Sequence, residues 1–282
     1  MHTNNHFNSK NADIFSDTQN MVSSDPTLKE AVKNSVKNHV IYKTAPVCTE
    51  LRRFDIKAKI SVSTQRTFEA AKKYTNANEK TCVLNFASAY NPGGGVKKGA
   101  SAQEESLCRI STLYFVLSSD EIFKKHYALN RELINSGKMS GAYSDTCIYT
   151  PGIVVFKEDD LTCNALQKEQ RFSVDVISCA APDLRIKQGR TNFSPKNEEL
   201  FEVHEQRART ILNTALSNNV DNLILGAFGC GAFQNPPETV AAVYRKVIKD
   251  YLYSFRNIEF SVYCSPKSML NYQIFNNALS EI

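Results

Sequence analysis

Twice in this chain a short apolar run gives way to a glycine-rich segment and then to an amphipathic stretch. The first instance is 81–86, then Gly93-Gly94-Gly95, then the residues from Ser101 onward. The second is 223–228, then Gly229-Cys230-Gly231-Ala232-Phe233, then the residues from Pro237 onward. Short apolar runs bounded by turn residues suit strands buried on both faces. Such strands need helices on either side, so the pattern predicts an α/β domain of three layers around a central mixed sheet. Residues 57–62, 147–156, 172–180 and 258–264 read as further strands. A helix capped by Ser63 or Thr64 is expected to follow the first of them, with Phe68, Ala71 and Tyr74 on its apolar face. Segments 198–217 and 237–255 have helical periodicity, the second through Val240, Val243, Tyr244, Val247, Ile248 and Tyr251.

The remaining features bound the function. The chain has 282 residues, 42% of them hydrophobic, enough for one large globular domain. Its net charge of +5 is spread along the chain, with no like-charged block to mark a nucleic-acid tail. No apolar run reaches membrane-spanning length, and the polar N-terminus lacks the core of a secretory signal. Eight widely spaced cysteines without a CxxC pair predict free thiols, no structural metal and a reducing, cytoplasmic location, although unconventional export would leave the same trace. Residues 1–24, rich in Asn, Ser, Asp and Thr, read as a flexible leader. Residues 25–56 read as a helical accessory segment with Leu28, Val32, Val36, Val40 and Ile41 as its buried stripe, and residues 57–282 as the main domain. A monomer is expected.

The first glycine segment carries the chemistry. Consecutive glycines leave no Cβ to obstruct close backbone approach and permit the positive φ angles that turn N–H groups toward an anion. A loop of this kind before a helix suits a phosphate or diphosphate. Glu104 and Glu105 fall in the first turn of the following helix, whose apolar face is expected to run through Leu107, Ile110, Leu113, Tyr114 and Leu117. Adjacent helical residues point about 100° apart, so the two carboxyls cannot act as the opposed pair of an ordinary glycosidase. One is left for the reaction and one for the substrate. The second glycine segment supplies a partner loop, so that a nucleotide diphosphate could be clasped from two sides at a sheet switch point. Neither segment has the Lys-Ser/Thr ending of an ATPase loop or the GxGxxG spacing of a dinucleotide site.

Taken together, LNFASAYNPGGGVKKGASAQEESLCR, the strand end Ser178-Cys-Ala-Ala-Pro-Asp183 and LGAFGCGAFQNPP resemble the microbial-type poly(ADP-ribose) glycohydrolases, members of the macrodomain fold. That family's signature is GGG, a gap of six to eight residues, then QEE; here the gap runs from Val96 to Ala102, seven residues. The resemblance covers roughly 57–264. It implies a macrodomain with an N-terminal helical extension, and an enzyme that releases ADP-ribose from poly(ADP-ribose) without cofactor or metal. It implies Glu105 as the general acid/base and Glu104 as the residue holding ribose hydroxyls at the scissile link. Asn91 is implied as a contact of the distal ribose. Gly93, Gly94, Gly95, Val96 and Gln103 are implied as substrate contacts beside the glutamates, and Gly229, Cys230, Gly231, Ala232 and Phe233 as the second diphosphate loop, with Phe233 against the distal ribose.

Two other readings share these residues: a mono-ADP-ribosyl hydrolase acting on protein or nucleic acid, and a macrodomain that binds ADP-ribose without cleaving it. Cys108 and Cys230 lie near the loops, but no histidine stands beside them to activate a thiol, so packing roles are expected. Asp145 and Asp183 are candidate ligand contacts, with turn or cap roles as the default reading. The adenine-binding residues have no signal of their own.

Overall fold

The structure, a computed structural model, describes residues 4–76, 78–185, 193–264 and 268–282. Its strands are β1 (Val40–Tyr42), β2 (Lys59–Ser63), β3 (Thr81–Phe86), β4 (Cys147–Val155), β5 (Phe172–Cys179), β6 (Asn222–Leu225) and β7 (Asn257–Ser261). They form one mixed sheet in the order β1-β4-β5-β3-β6-β7-β2. The five strands from β5 to β2 are mutually parallel, while β4 is antiparallel to both of its neighbours.

Side-chain alternation along these strands builds the layers. Cys82, Leu84, Ile177, Leu223 and Leu225 point into one core with Ile211 and Leu212 of α8 (Asn197–Ser217), Val243 and Val247 of α9 (Pro237–Ile248) and Phe275 of α10 (Leu270–Leu279). Val83, Val176 and Ile224 point the other way. They meet Phe15 of α1 (Asn4–Ser24), Phe68 of α3 (Thr67–Lys72), Leu107 of α4 (Gln103–Ile110) and Leu113 of α5 (Leu113–Leu117). The predicted three-layer α/β architecture is therefore present. β3 and β6 lie side by side and run the same way, so both glycine loops leave the sheet at the same, C-terminal end of the strands.

Several boundaries differ from those expected. The supposed leader is helix α1 from residue 4; residues 1–3 lie outside the described residues. Phe15, Thr18 and Val22 are buried, and Thr18 donates to the Arg109 carbonyl. The apolar spacing is sparse, yet those few contacts dock the helix. The accessory segment is not helical throughout. Asp25 caps α2 (Pro26–Asn38) through the Thr27 N–H, and the chain then becomes edge strand β1, paired with β4. Leu28 is buried while Val40 is exposed, because the period changes from helix to strand between them.

The helix expected to run from about residue 101 through Leu117 breaks at Ser111-Thr112. There the Thr112 N–H donates to Val154 O and its hydroxyl accepts from Val154 N, joining the chain to the edge of β4. Helix α3 starts later than Ser63 or Thr64 would give. Its first free N–H groups, on Phe68 and Glu69, are capped by Asp159 from a distant loop. Helices α6 (Asp120–Ile122) and α7 (Leu129–Asn135), joined by a π-helical turn over Phe123–Ala128, were not anticipated. Among the described residues no helix is long and apolar enough to cross a membrane.

Candidate active site

The first glycine loop is built around the two glutamates. Gly93 and Gly94 take φ of 68° and 56°, which only glycine adopts freely. A Cβ on Gly94 would collide with the Glu105 carboxylate and come within 3.1 Å of Glu104 Oε2. The loop's N–H groups turn inward. Gly95 N–H donates to Glu105 Oε1 at 2.8 Å, and Gly93 N–H faces Glu104. Gly94 N–H goes to Asn91 O at 3.0 Å, and Val96 N–H to Gly93 O at 3.1 Å. The expectation that this loop offers N–H groups to a diphosphate is thus corrected. They are spent on the two carboxyls and on the loop's own turns, because the helix start places both glutamates beneath the glycines.

The two carboxyls occupy different surroundings. Glu104 is 3% exposed; its Oε2 accepts from Ser88 N at 2.7 Å and its Oε1 faces Asn85 Nδ2 at 3.4 Å. Burial, reinforced by the neighbouring Glu105 charge, pushes its pKa up to about 8 against the lowering effect of those hydrogen bonds. Glu105 keeps one oxygen on Gly95, and its Oε2 accepts no hydrogen bond among the described residues. Gln103, expected as a substrate contact, has its amide taken up within the protein. It donates to Thr67 Oγ1 and Leu84 O and accepts from Phe86 N, bracing the end of β3 against α3.

The second loop faces the first across a cleft of about 540 Å³. Asn235 ties it down, donating to Gly229 O and Pro182 O while its own oxygen faces His204 Nε2 at 2.8 Å. The N–H groups of Gly231, Ala232 and Phe233 donate to nothing among the described residues, so three successive donors remain for an anion. The cleft is lined by Asn91, Gly94, Gly95, Gln103, Glu104, Glu105, Gly229, Gly231, Ala232 and Phe233, all of them expected. Gly93, Val96 and Cys230 do not line it. Gly93 and Val96 pack beneath the loop, and Cys230 packs against the core of the α8–α9 face. Burial pushes the Cys230 thiol up to about 12 and the Cys108 thiol well above its usual value, which suits packing rather than nucleophilic roles.

Other lining residues had no sequence signal. Arg185 stacks on Phe233 at 4.9 Å, its guanidinium held by both oxygens of Asp183. On the β7 side, Arg66 stacks on the half-exposed Tyr263 ring at 4.2 Å. Each pair joins residues far apart in the chain or too common to stand out. Asp183 accepts from the Arg185 N–H as a turn residue would and also pairs with the Arg185 guanidinium, whereas Asp145 pairs with Arg207 of α8 instead of capping a turn. Among the described residues no group of three or more His, Cys, Asp or Glu is placed to hold a metal.

Comparison with known proteins agrees with this geometry. The model of the microbial-type PARG catalytic domain matches residues 12–158, just over half of the chain. The match begins inside α1, earlier than the resemblance read from the sequence. The poly(ADP-ribose) glycohydrolase (PARG) of Thermomonospora curvata is 26% identical and superposes with a TM-score of 0.80 over 96% of this chain and 100% of that one. The same enzyme bound to the inhibitor ADP-HPD gives 27% and 0.77, over 95% and 99%. The PARG of Deinococcus radiodurans in complex with ADP-ribose is 30% identical, with a TM-score of 0.73 over 89% of this chain and 97% of that one. No curated protein matches. The chain belongs to the microbial-type poly(ADP-ribose) glycohydrolase catalytic-domain family.

Proposed function

We propose that this glycohydrolase cleaves the ribose–ribose O-glycosidic bond of poly(ADP-ribose), releasing ADP-ribose, with Glu105 as its proton-transfer group. The observation that carries the assignment is the state of the Glu105 carboxyl. One oxygen is fixed by Gly95 N–H, the other is unclaimed, and the group lines the cleft opposite the second loop. Glu105 in its acid form gives its proton to the bridging oxygen as the bond to the anomeric carbon breaks. The resulting carboxylate then takes a proton from water as the water oxygen bonds to that carbon. Glu104, buried beside Glu105 and fixed by Ser88 N–H, aligns a ribose hydroxyl at the scissile link.

The rest of the ligand follows the cleft. The three free N–H groups of Gly231, Ala232 and Phe233 suit the diphosphate. The Phe233 ring suits the distal ribose, and the Tyr263 ring backed by Arg66 suits a purine base. The ADP-ribose complex of the Deinococcus radiodurans enzyme supports a ligand of this class. The substrate partners are poly(ADP-ribose) and ADP-ribosylated macromolecules.

Glu105→Gln is nearly isosteric and keeps an acceptor for Gly95 N–H. Its kcat on poly(ADP-ribose) should fall by about 10²–10⁴-fold, the usual worth of general acid–base catalysis, while ADP-ribose still binds. Near-full chain cleavage by the folded variant would overturn the assignment. Parallel assays on polymer and on mono-ADP-ribosylated protein decide the substrate. Turnover of the second alone would favour the mono-ADP-ribosyl reading.

A further inference from the structure

We propose that Arg131 of α7 is a positioning residue that turns Asn91 into a hydrogen-bond donor toward the ligand. The inference rests on the reading of Asn91 as a ligand contact. Arg131 Nη2 donates to Asn91 Oδ1 at 2.8 Å, and its Nε donates to Tyr90 O at 2.8 Å. A guanidinium has donors and no acceptor, so the amide atom facing it must be the oxygen. The Asn91 Nδ2 is left over, and it donates to nothing among the described residues. Asn91 lines the cleft and Arg131 does not, so Arg131 reaches the ligand only through Asn91.

The rest of the segment is held so that this choice is fixed. Tyr90 N and Asn91 N donate to Ser88 Oγ at 3.4 and 3.1 Å, and Asn91 O accepts from Gly94 N at 3.0 Å. Asn130, the neighbour of Arg131, donates to Ala89 O at 2.7 Å. Residues 89, 90 and 91 are thus each gripped from α7, whose entry is the π-helical turn over Phe123–Ala128. Arg131 itself is steadied over the Phe123 ring at 5.1 Å. The planar fork engages two successive residues in fixed directions, which a lysine's rotatable ammonium would not hold. Ser88 also gives its N–H to Glu104, so the Asn91 arm and the glutamates share one frame. With Nδ2 outward, Asn91 suits an acceptor oxygen of the ADP-ribosyl group.

Asn91→Asp separates positioning from folding. The carboxylate still accepts from Arg131, so thermal stability should hold, but the outward donor becomes an acceptor and ADP-ribose affinity should drop at least tenfold. Arg131→Ala should weaken ADP-ribose binding about tenfold, and Arg131→Lys less. In an Asn91→Ala background, Arg131→Ala should add no further loss. Calorimetric titration of ADP-ribose into the four proteins of that cycle reads the result. Equal losses from Arg131→Ala with and without Asn91 would overturn the proposal, as would undiminished binding by Asn91→Asp. Undiminished binding by Asn91→Ala alone would instead remove the reading of Asn91 as a contact.

Discussion

Burial that raises the Glu104 pKa to about 8 leaves a mark on stability as well as on the reaction. An unfolded glutamate titrates near 4.5, so between those values the folded chain binds one proton more than the unfolded chain. Stability from this group is complete below pH 4.5 and is lost as pH rises through about 8, at up to ~1.4 kcal/mol per pH unit. His126 and His204 act in the opposite sense. Burial lowers both to about 4 from 6.5, so their stability is present above pH 6.5 and lost as pH falls toward 4. The unfolding free energy should therefore peak near pH 6.5 and decline toward pH 8. Glu104→Gln should remove the decline between about pH 6.5 and 8 and keep the acidic limb, leaving only the further loss from buried thiols such as Cys108 and Cys230 as pH approaches their unfolded value of 9. Denaturant titrations at stepped pH measure this, and a slope between pH 6.5 and 8 unchanged by Glu104→Gln would refute it. The sequence placed two glutamates at a helix start and separated their roles. It could not separate their environments, since these depend on Ser88, Asn85 and Gly93 closing over one carboxyl and not the other.

At the scale of elements, α1 shows how a segment of leader-like composition becomes structural. Asn11 donates to Gly99 O at 3.0 Å, and Thr18 to the Arg109 carbonyl. Phe15 meets Tyr114 edge-on at 5.0 Å. These contacts hold both flanks of the segment that carries Glu104 and Glu105. Thr18 is fully buried, so Thr18→Val keeps the shape and leaves the Arg109 carbonyl without its donor. A loss of about 1–3 kcal/mol in unfolding free energy is expected by chemical denaturation, and an unchanged midpoint would count against a docked α1. Deleting residues 1–24 should cost more, with cleavage activity falling alongside stability. The strands β3 to β7 were legible because runs such as 81–86 and 223–228 are apolar on both faces, which only the centre of a layered sheet accommodates. Edge strand β1 is too short and too exposed to leave a period. The cap of α3 comes from Asp159, some ninety residues away, and no local pattern encodes such a partner.

Across the whole molecule, the two glycine loops belong to opposite layers. The first leads into α4 on one face of the sheet, and the second into α9 on the other. A ligand seated between them would connect two cores that otherwise meet only through the sheet. Such a ligand stabilises the fold by mass action, about 2.7 kcal/mol at one hundred times its dissociation constant. For a chain of this size that corresponds to a rise in Tm on the order of 5 °C. Gly231 offers a test that leaves the free protein intact. A Cβ there would meet nothing within 4 Å, and its φ is not in the left-handed region, so the fold itself gives no reason for glycine. The reason left is room for a ligand approaching the free N–H groups of Gly231, Ala232 and Phe233. Gly231→Ala should therefore match or slightly exceed the wild-type Tm without ligand, because it removes only unfolded-state freedom. With ADP-ribose present it should lose most of the thermal shift, whereas Glu105→Gln should keep it. If Gly231→Ala retained the full shift, the second loop would not be the diphosphate cradle, and the clasp between the two layers would have to be sought elsewhere along the cleft.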